Sequence, residues 1–410
     1  MIKNARFAFF AVVVCFYACS NHNGPLAIFK KGSPHEQYAQ QLQAAGLGNT
    51  ALARQWNKTA AYTLTMPLAI TLPYRETGYF AADKTTATAL SFEAKRGQKV
   101  MVRLQRKPAD FTIYADLFLN GDLVASADSS TITFEVKQTG DYIVRLQPEL
   151  LKGGQYTVDI TAGPALHFPV SASGHPKIEG FWGDGRDDNS RKHEGIDIFA
   201  PKGTPALAAA NGTVVNVGEN KLGGLVVMMQ PAGSDYTLYY AHLGVQLVHN
   251  GQQVKAGDTV GLIDNTGNAK TTPSHLHFGI YTDGGAVDPL LFVKPVNETV
   301  KLISANLDRL NKLVSVDHIP VRVLAATRDS YKVSYPDDKV AFVPVTSIKP
   351  LSEKVETPKQ TFLIYDQPDT AAARMARIAP GEAVRVRGIY KNFELVTYKD
   401  VTGWLVYDKK

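Results

Sequence analysis

From about residue 61 the chain consists of short runs whose apolar residues recur at every second position. Leu90-Phe92-Ala94, Val100-Val102-Leu104, Ile113 to Leu119, Ile132 to Val136, Tyr142 to Leu146 and Tyr156 to Ile160 all follow this pattern. A period of two sets one face of a strand against a core, whereas a helix needs apolar residues three or four apart. Gly97, Asn120-Gly121 and Gly153-Gly154 separate the runs as turn formers. Residues 61–163 are therefore expected to form an antiparallel β-sandwich. Pro164 to Pro169 reads as a linker, and glycines then alternate densely with β-rich runs from Phe181 to about Val293. Further on, Val321-Arg322-Val323, Tyr331-Lys332-Val333 and Phe342-Val343 are weakly echoed by Val384-Arg385-Val386, Phe393-Glu394-Leu395 and Trp404-Leu405. That echo predicts a small β-barrel in tandem, over residues 299–352 and 353–410. The fold class is mainly β, with a length of 410 residues that calls for several units.

Two helices are expected in residues 20–60. Ser33-Pro34-His35-Glu36 supplies a cap, a first-turn proline and an acidic residue ahead of Tyr38, Leu42 and Ala45, with Gly46 as a stop. A second helix runs from Thr50 to Trp56. At the N-terminus Lys3 and Arg6 precede an apolar run from Phe7 to Ala18, followed by Cys19 and polar residues. This reads as an export signal over residues 1–19, and a small residue before a cysteine resembles the bacterial lipoprotein cleavage box. Phe16 and Tyr17 depart from that box. Cys19 would become the lipid-bearing first residue, giving a membrane-anchored protein of the cell envelope, in the periplasm or at the outer membrane. The other cysteine, Cys15, lies within the signal, so no internal disulfide is expected. A net charge of +6, without a basic block interleaved with aromatics, argues against a nucleic-acid partner.

Five residues carry the candidate chemistry. In Arg191-Lys192-His193-Glu194-Gly195-Ile196-Asp197-Ile198, a histidine and a carboxylate stand four apart. Gly195, the β-branched Ile196 and Ile198, and Pro201 oppose a helix, so Asp197 is expected on a strand entered from a loop. Ile196 and Ile198 would then face the core and His193 and Asp197 the opposite side. The same parity turns Glu194 away. In His275-Leu276-His277-Phe278 the two histidines share one strand face. Tyr239-Tyr240-Ala241-His242-Leu243 supplies a third strand, on which parity sets His242 on the face of Tyr240. A catalytic zinc takes three protein ligands from His and Asp/Glu and keeps one position open. His193, Asp197 and one of the paired histidines complete such a set. His242 and the other paired histidine remain for proton transfer and oxyanion support.

The H-x-x-x-D run, the histidine after Tyr-Ala and the H-x-H strand resemble, in order, the lysostaphin-type zinc endopeptidases of peptidoglycan. Gly203-Thr204-Pro205 and Val254-Lys255-Ala256-Gly257-Asp258 agree. The resemblance covers roughly residues 175 to 295, within a unit drawn at 164–298. It implies a groove-bearing β-sheet domain of the duplicated hybrid type, in which His193, Asp197 and His277 bind Zn2+ while His242 and His275 assist the water. Some members carry a tyrosine shortly before the first ligand. Here that stretch reads Trp182-Gly183-Asp184-Gly185-Arg186. Trp182 and Arg186 are read as groove-lining residues and Tyr240 as a packed aromatic. The preceding β-sandwich resembles accessory domains of secreted bacterial peptidases, and the tandem C-terminal stretches resemble SH3-like wall-binding modules. His22, His35, His167, His175, His249 and His318 sit in no motif and are read as surface or structural. The implied activity is hydrolysis of peptide stems or cross-links of peptidoglycan, a D-alanyl to diaminopimelate bond if the host is Gram-negative. The alternatives are a non-catalytic activator of a wall amidase, a class that loses such ligands, and a protease of glycine-rich proteins.

Overall fold

The computed structural model describes residues 32–406 apart from Asp187 and Asn297. The export signal, Cys15, Cys19 and His22 lie outside the described residues. The protein is mainly β, with two helices of more than two turns among the described residues. The first, Pro34–Ala44, begins with the expected capping box: the Ser33 hydroxyl accepts from the Glu36 amide, and the Glu36 carboxylate accepts from the Ser33 amide. The second, Ala51–Thr63, outruns its expected end at Trp56, because Ala53, Trp56 and Ala60 continue one buried face.

That face has a definite partner. Along the Gly140–Pro148 strand, Tyr142, Val144 and Leu146 enter the sandwich core. Arg145 and Gln147 point the other way and are still buried, because the helices cover them. His35 stacks on Trp56 at 4.3 Å and pairs with Gln147 at 2.6 Å, while Trp56 donates to the Pro148 carbonyl at 2.8 Å. The five-stranded sheet beneath packs on a second sheet through Leu90, Phe92, Val102, Leu117 and Val158, as the period-two pattern requires.

Residues 177–287 build a ten-stranded sheet. Its neighbouring strands Ile196–Phe199, His275–Thr282 and Tyr236–Gln246 are antiparallel, with Asp197 opposite His277 and His277 opposite Ala241. Ile196, Ile198, Leu276, Phe278 and Leu238 fill the core on one face, which leaves the other for the site.

The C-terminal stretches show a connection invisible in local sequence. The Ile319–Ala326 strand pairs with Tyr74–Phe80 of the sandwich, Thr77 opposite Ala326 and Gly78 opposite Ala325. One nine-stranded sheet therefore spans both regions, and the ten-stranded domain is inserted between its two parts. Within this first stretch Ile348–Lys349 returns to pair with Leu313–Val316. The second stretch, from Lys354–Glu356 to Val401–Val406, forms its own six-stranded sheet over Ile364, Ile378, Val386 and Leu405. Among the described pairings neither sheet closes into a ring.

A buried ion pair locks the joined sheet. Lys332 Nζ lies 2.6 Å from Glu76 Oε1 and 2.9 Å from Thr88 Oγ1, and Glu76 also accepts from Tyr74 and Tyr156, each at 2.7 Å. Both charged side chains are essentially inaccessible, at 1% and 0%. Removing one partner leaves the other charge buried and uncompensated, which costs about 3–5 kcal/mol. Lys332→Met should therefore lower the urea midpoint substantially, and adding Glu76→Gln should recover part of the loss. A Lys332→Met midpoint equal to that of the parent protein would contradict the burial.

Candidate metal centre

His193 precedes its strand on a loop and is only 2% exposed. Its Nδ1 lies 2.8 Å from the Phe181 carbonyl oxygen. A carbonyl only accepts, so Nδ1 carries the proton and Nε2 presents a lone pair. That Nε2 stands 3.0 Å from Asp197 Oδ1 and 2.9 Å from His277 Nδ1, and His277 Nδ1 is itself 3.0 Å from Asp197 Oδ1. Two imidazole nitrogens and a carboxylate oxygen thus converge within hydrogen-bonding distance, an arrangement that a shared cation satisfies. Two imidazole nitrogens and one carboxylate oxygen match the donor set of a catalytic zinc, and His193, Asp197 and His277 form the potential metal-ion group found among the described residues.

Small residues make the convergence sterically possible. A Cβ on Gly195 would sit 2.6 Å from His277 Cε1, and one on Gly180 would sit 2.6 Å from Asp197 Oδ2. Burial alone would raise the Asp197 carboxyl, but the close polar contacts with the His193 and His277 rings outweigh it and hold the group well below the usual carboxylate range. Burial pushes His277 down. His242 is lowered to about 4, first by burial and then by His275 and His277, so it is neutral at pH 7.

His242 and His275 complete the cluster with ring centroids 4.8 Å apart. His242 Nδ1 lies 2.8 Å from the Thr266 carbonyl, and His275 Nδ1 lies 2.9 Å from that of Pro273. Both therefore keep Nε2 as the acceptor, and His275 Nε2 is 3.9 Å from Asp197 Oδ1. All five sequence-derived residues line one cleft of about 590 Å³.

Three expectations need correction. His242 does not share a face with Tyr240. It adopts φ +60, and its amide bonds to the Gly223 carbonyl outside the ladder, where the register shifts. Tyr240 is accordingly in the core, its hydroxyl accepting from the Ala209 amide, while Tyr239 lines the cleft with its ring 6.0 Å from that of His277. Glu194 is not turned away either: it precedes the strand, so strand parity does not govern it, and it lines the cleft beside Tyr281. With burial the larger cause, the Glu194 carboxylate helps push the Tyr281 phenol up to about 12. Trp182 is not among the cleft-lining residues.

Arg186 lines the cleft as expected and does more, since its Nη2 lies 2.8 Å from Asp197 Oδ2. Sequence reasoning missed that contact, and it missed the Phe181 carbonyl, for which a backbone group offers no side-chain signal. The hairpin of Gly185–Arg186 and Arg191–Lys192 brings the guanidinium in.

Residues 191–289, which contain all five site residues, match the family model "Peptidase family M23". The chain is similar to the "Uncharacterized lipoprotein YgeR" of Escherichia coli, 42% identical over 25% of this chain and 40% of that protein. It is 33% identical to the "L-Ala--D-Glu endopeptidase" of Bacillus subtilis, over 30% of this chain and 39% of that one. With "Peptidoglycan DD-endopeptidase ShyC" of Vibrio cholerae it shares 36% identity, over 23% of this chain and 21% of the other. The chain thus spans less than half the length of these curated relatives. The solved catalytic domain of lysostaphin from Staphylococcus simulans is 29% identical, matched over 30% of this chain and 98% of that one, with a TM-score of 0.28. Over residues 191–289 the chain therefore carries a domain of peptidase family M23.

Proposed function

We propose that this chain is a zinc-dependent endopeptidase that hydrolyses peptide stems or cross-links of bacterial peptidoglycan. The observation that carries the reading is the meeting of two imidazole nitrogens and one carboxylate oxygen, all within 3.0 Å of one another, in an open cleft. His193 Nε2, Asp197 Oδ1 and His277 Nδ1 are the atoms assigned to Zn2+. When bound, zinc supplies Lewis-acid polarisation of a substrate carbonyl and makes water more acidic.

The remaining roles belong to side chains. His242 is neutral, and the Thr266 carbonyl fixes its tautomer, so Nε2 accepts the proton of the attacking water and returns it to the leaving amine. His275 is oriented by the Pro273 carbonyl, so its Nε2 faces the cleft 3.9 Å from Asp197 Oδ1 and assists in positioning the attacking water. Arg186 holds the second oxygen of Asp197, keeping Oδ1 aimed at the two imidazoles.

Peptidoglycan as the substrate is supported by one relative named a peptidoglycan DD-endopeptidase and another named an L-Ala--D-Glu endopeptidase. The reading extends to export into the cell envelope, with Cys19 as a lipid-bearing residue. The activator alternative is disfavoured because all five chemical residues are present and converge. Digestion of purified sacculi by zinc-loaded protein, followed by muropeptide analysis, tests the activity. New peptide-cleaved muropeptides that vanish with chelator are expected, and their structures identify the bond. An unchanged profile across walls of differing cross-link chemistry would sink the proposal.

A further inference from the structure

A second groove lies away from the metal centre, where the sandwich and the first C-terminal stretch share their sheet. It encloses about 500 Å³. One wall is the segment around Arg75 and the other is the turn at residues 327–330, with Tyr74 and Phe342 meeting edge to face at 6.3 Å between them. These walls come from parts of the chain about 250 residues apart, yet they are fixed. The Thr77–Ala326 pairing ends one residue before Thr327, and the Lys332–Glu76 pair is buried alongside. A groove whose backbone walls are fixed in this way lowers the ordering cost of binding.

Its charges are unevenly used. Arg75 is engaged by Asp159 through two contacts of 2.5 and 2.6 Å. Lys301 and Arg328 are exposed lining residues without an acidic partner among the described residues. Beside them Asp329 is exposed, and the Ser330 hydroxyl donates to it at 3.1 Å. Two available cations suit carboxylates. Aromatic rings offer a face for sugar rings, and a carboxylate next to hydroxyls accepts from sugar hydroxyls. An anionic lipid surface fits less well, since the site is concave and includes a negative charge.

We infer that this composite groove binds a carboxylate-bearing glycan–peptide strand and so tethers the protein to its polymer while the distant cleft acts. The inference rests on the wall-substrate reading and identifies a second contact with that polymer. The test is co-sedimentation of the full chain with purified sacculi at low salt, in a His277→Ala background that prevents hydrolysis. Lys301→Glu with Arg328→Glu should weaken binding by about tenfold or more. In the parent background the same double variant should hydrolyse a soluble cross-linked muropeptide at the unaltered rate.

Undiminished sedimentation of the double variant overturns the groove assignment, even if muropeptides are released normally. So does preferential binding of the parent protein to phosphatidylglycerol vesicles over sacculi. If no hydrolysis is found but the charge reversals still abolish sacculus binding, the enzymatic reading fails and the groove stands.

Discussion

Replacing His277 by alanine should reduce hydrolysis of wall peptide by at least about 10³-fold and remove the bound metal with it. His277 is the geometric centre of the site: opposite Asp197 on one neighbouring strand, opposite Ala241 on the other, and within 3.0 Å of both other proposed ligand atoms. Its loss leaves two donors where three converged. The side chain packs against Gly195 on the side of the sheet opposite Leu276 and Phe278, so the core should survive the substitution. Circular dichroism and the urea midpoint check that point. Activity within tenfold of the parent protein would remove His277 from the metal set.

His242 separates chemistry from metal retention. Deleting its side chain should lower turnover by about 10²- to 10⁴-fold, the usual range for a proton-transfer group, while zinc stays bound. Because residue 242 sits at φ +60, glycine is the better substitution; it accepts that backbone conformation without strain. His242→Gly should thus keep the fold, keep stoichiometric metal and lose the reaction. Loss of metal together with activity would instead make His242 a ligand.

The contrast between these two residues also marks how far the sequence could be read. Asp197, His275 and His277 lie on regular strands, so alternation correctly put them on one face and Ile196, Ile198, Leu276 and Phe278 on the other. His242 lies at a left-handed bulge, where one irregular residue reverses the alternation and exchanges the faces of Tyr239 and Tyr240. Glu194 precedes its strand, and the parity rule does not extend to it. The reach of Arg186 depends on a hairpin whose geometry has no periodic signal. At the level of the fold, the capping box and the period-two runs are local features and were legible. The pairing of Tyr74–Phe80 with Ile319–Ala326 joins residues far apart in sequence, and its Lys332–Glu76 lock is written as an ordinary charge on each strand. Such long-range pairing leaves no trace in either segment alone.

Convergence of His193, Asp197 and His277 on one ion is tested most directly by metal stoichiometry. The full chain and its His277→Ala and His242→Gly variants can be exchanged into trace zinc and weighed by native mass spectrometry. One zinc per chain is expected in the parent protein and in His242→Gly, and none in His277→Ala. A parent protein that is folded but free of zinc, or a His277→Ala variant that retains it, would contradict the assignment.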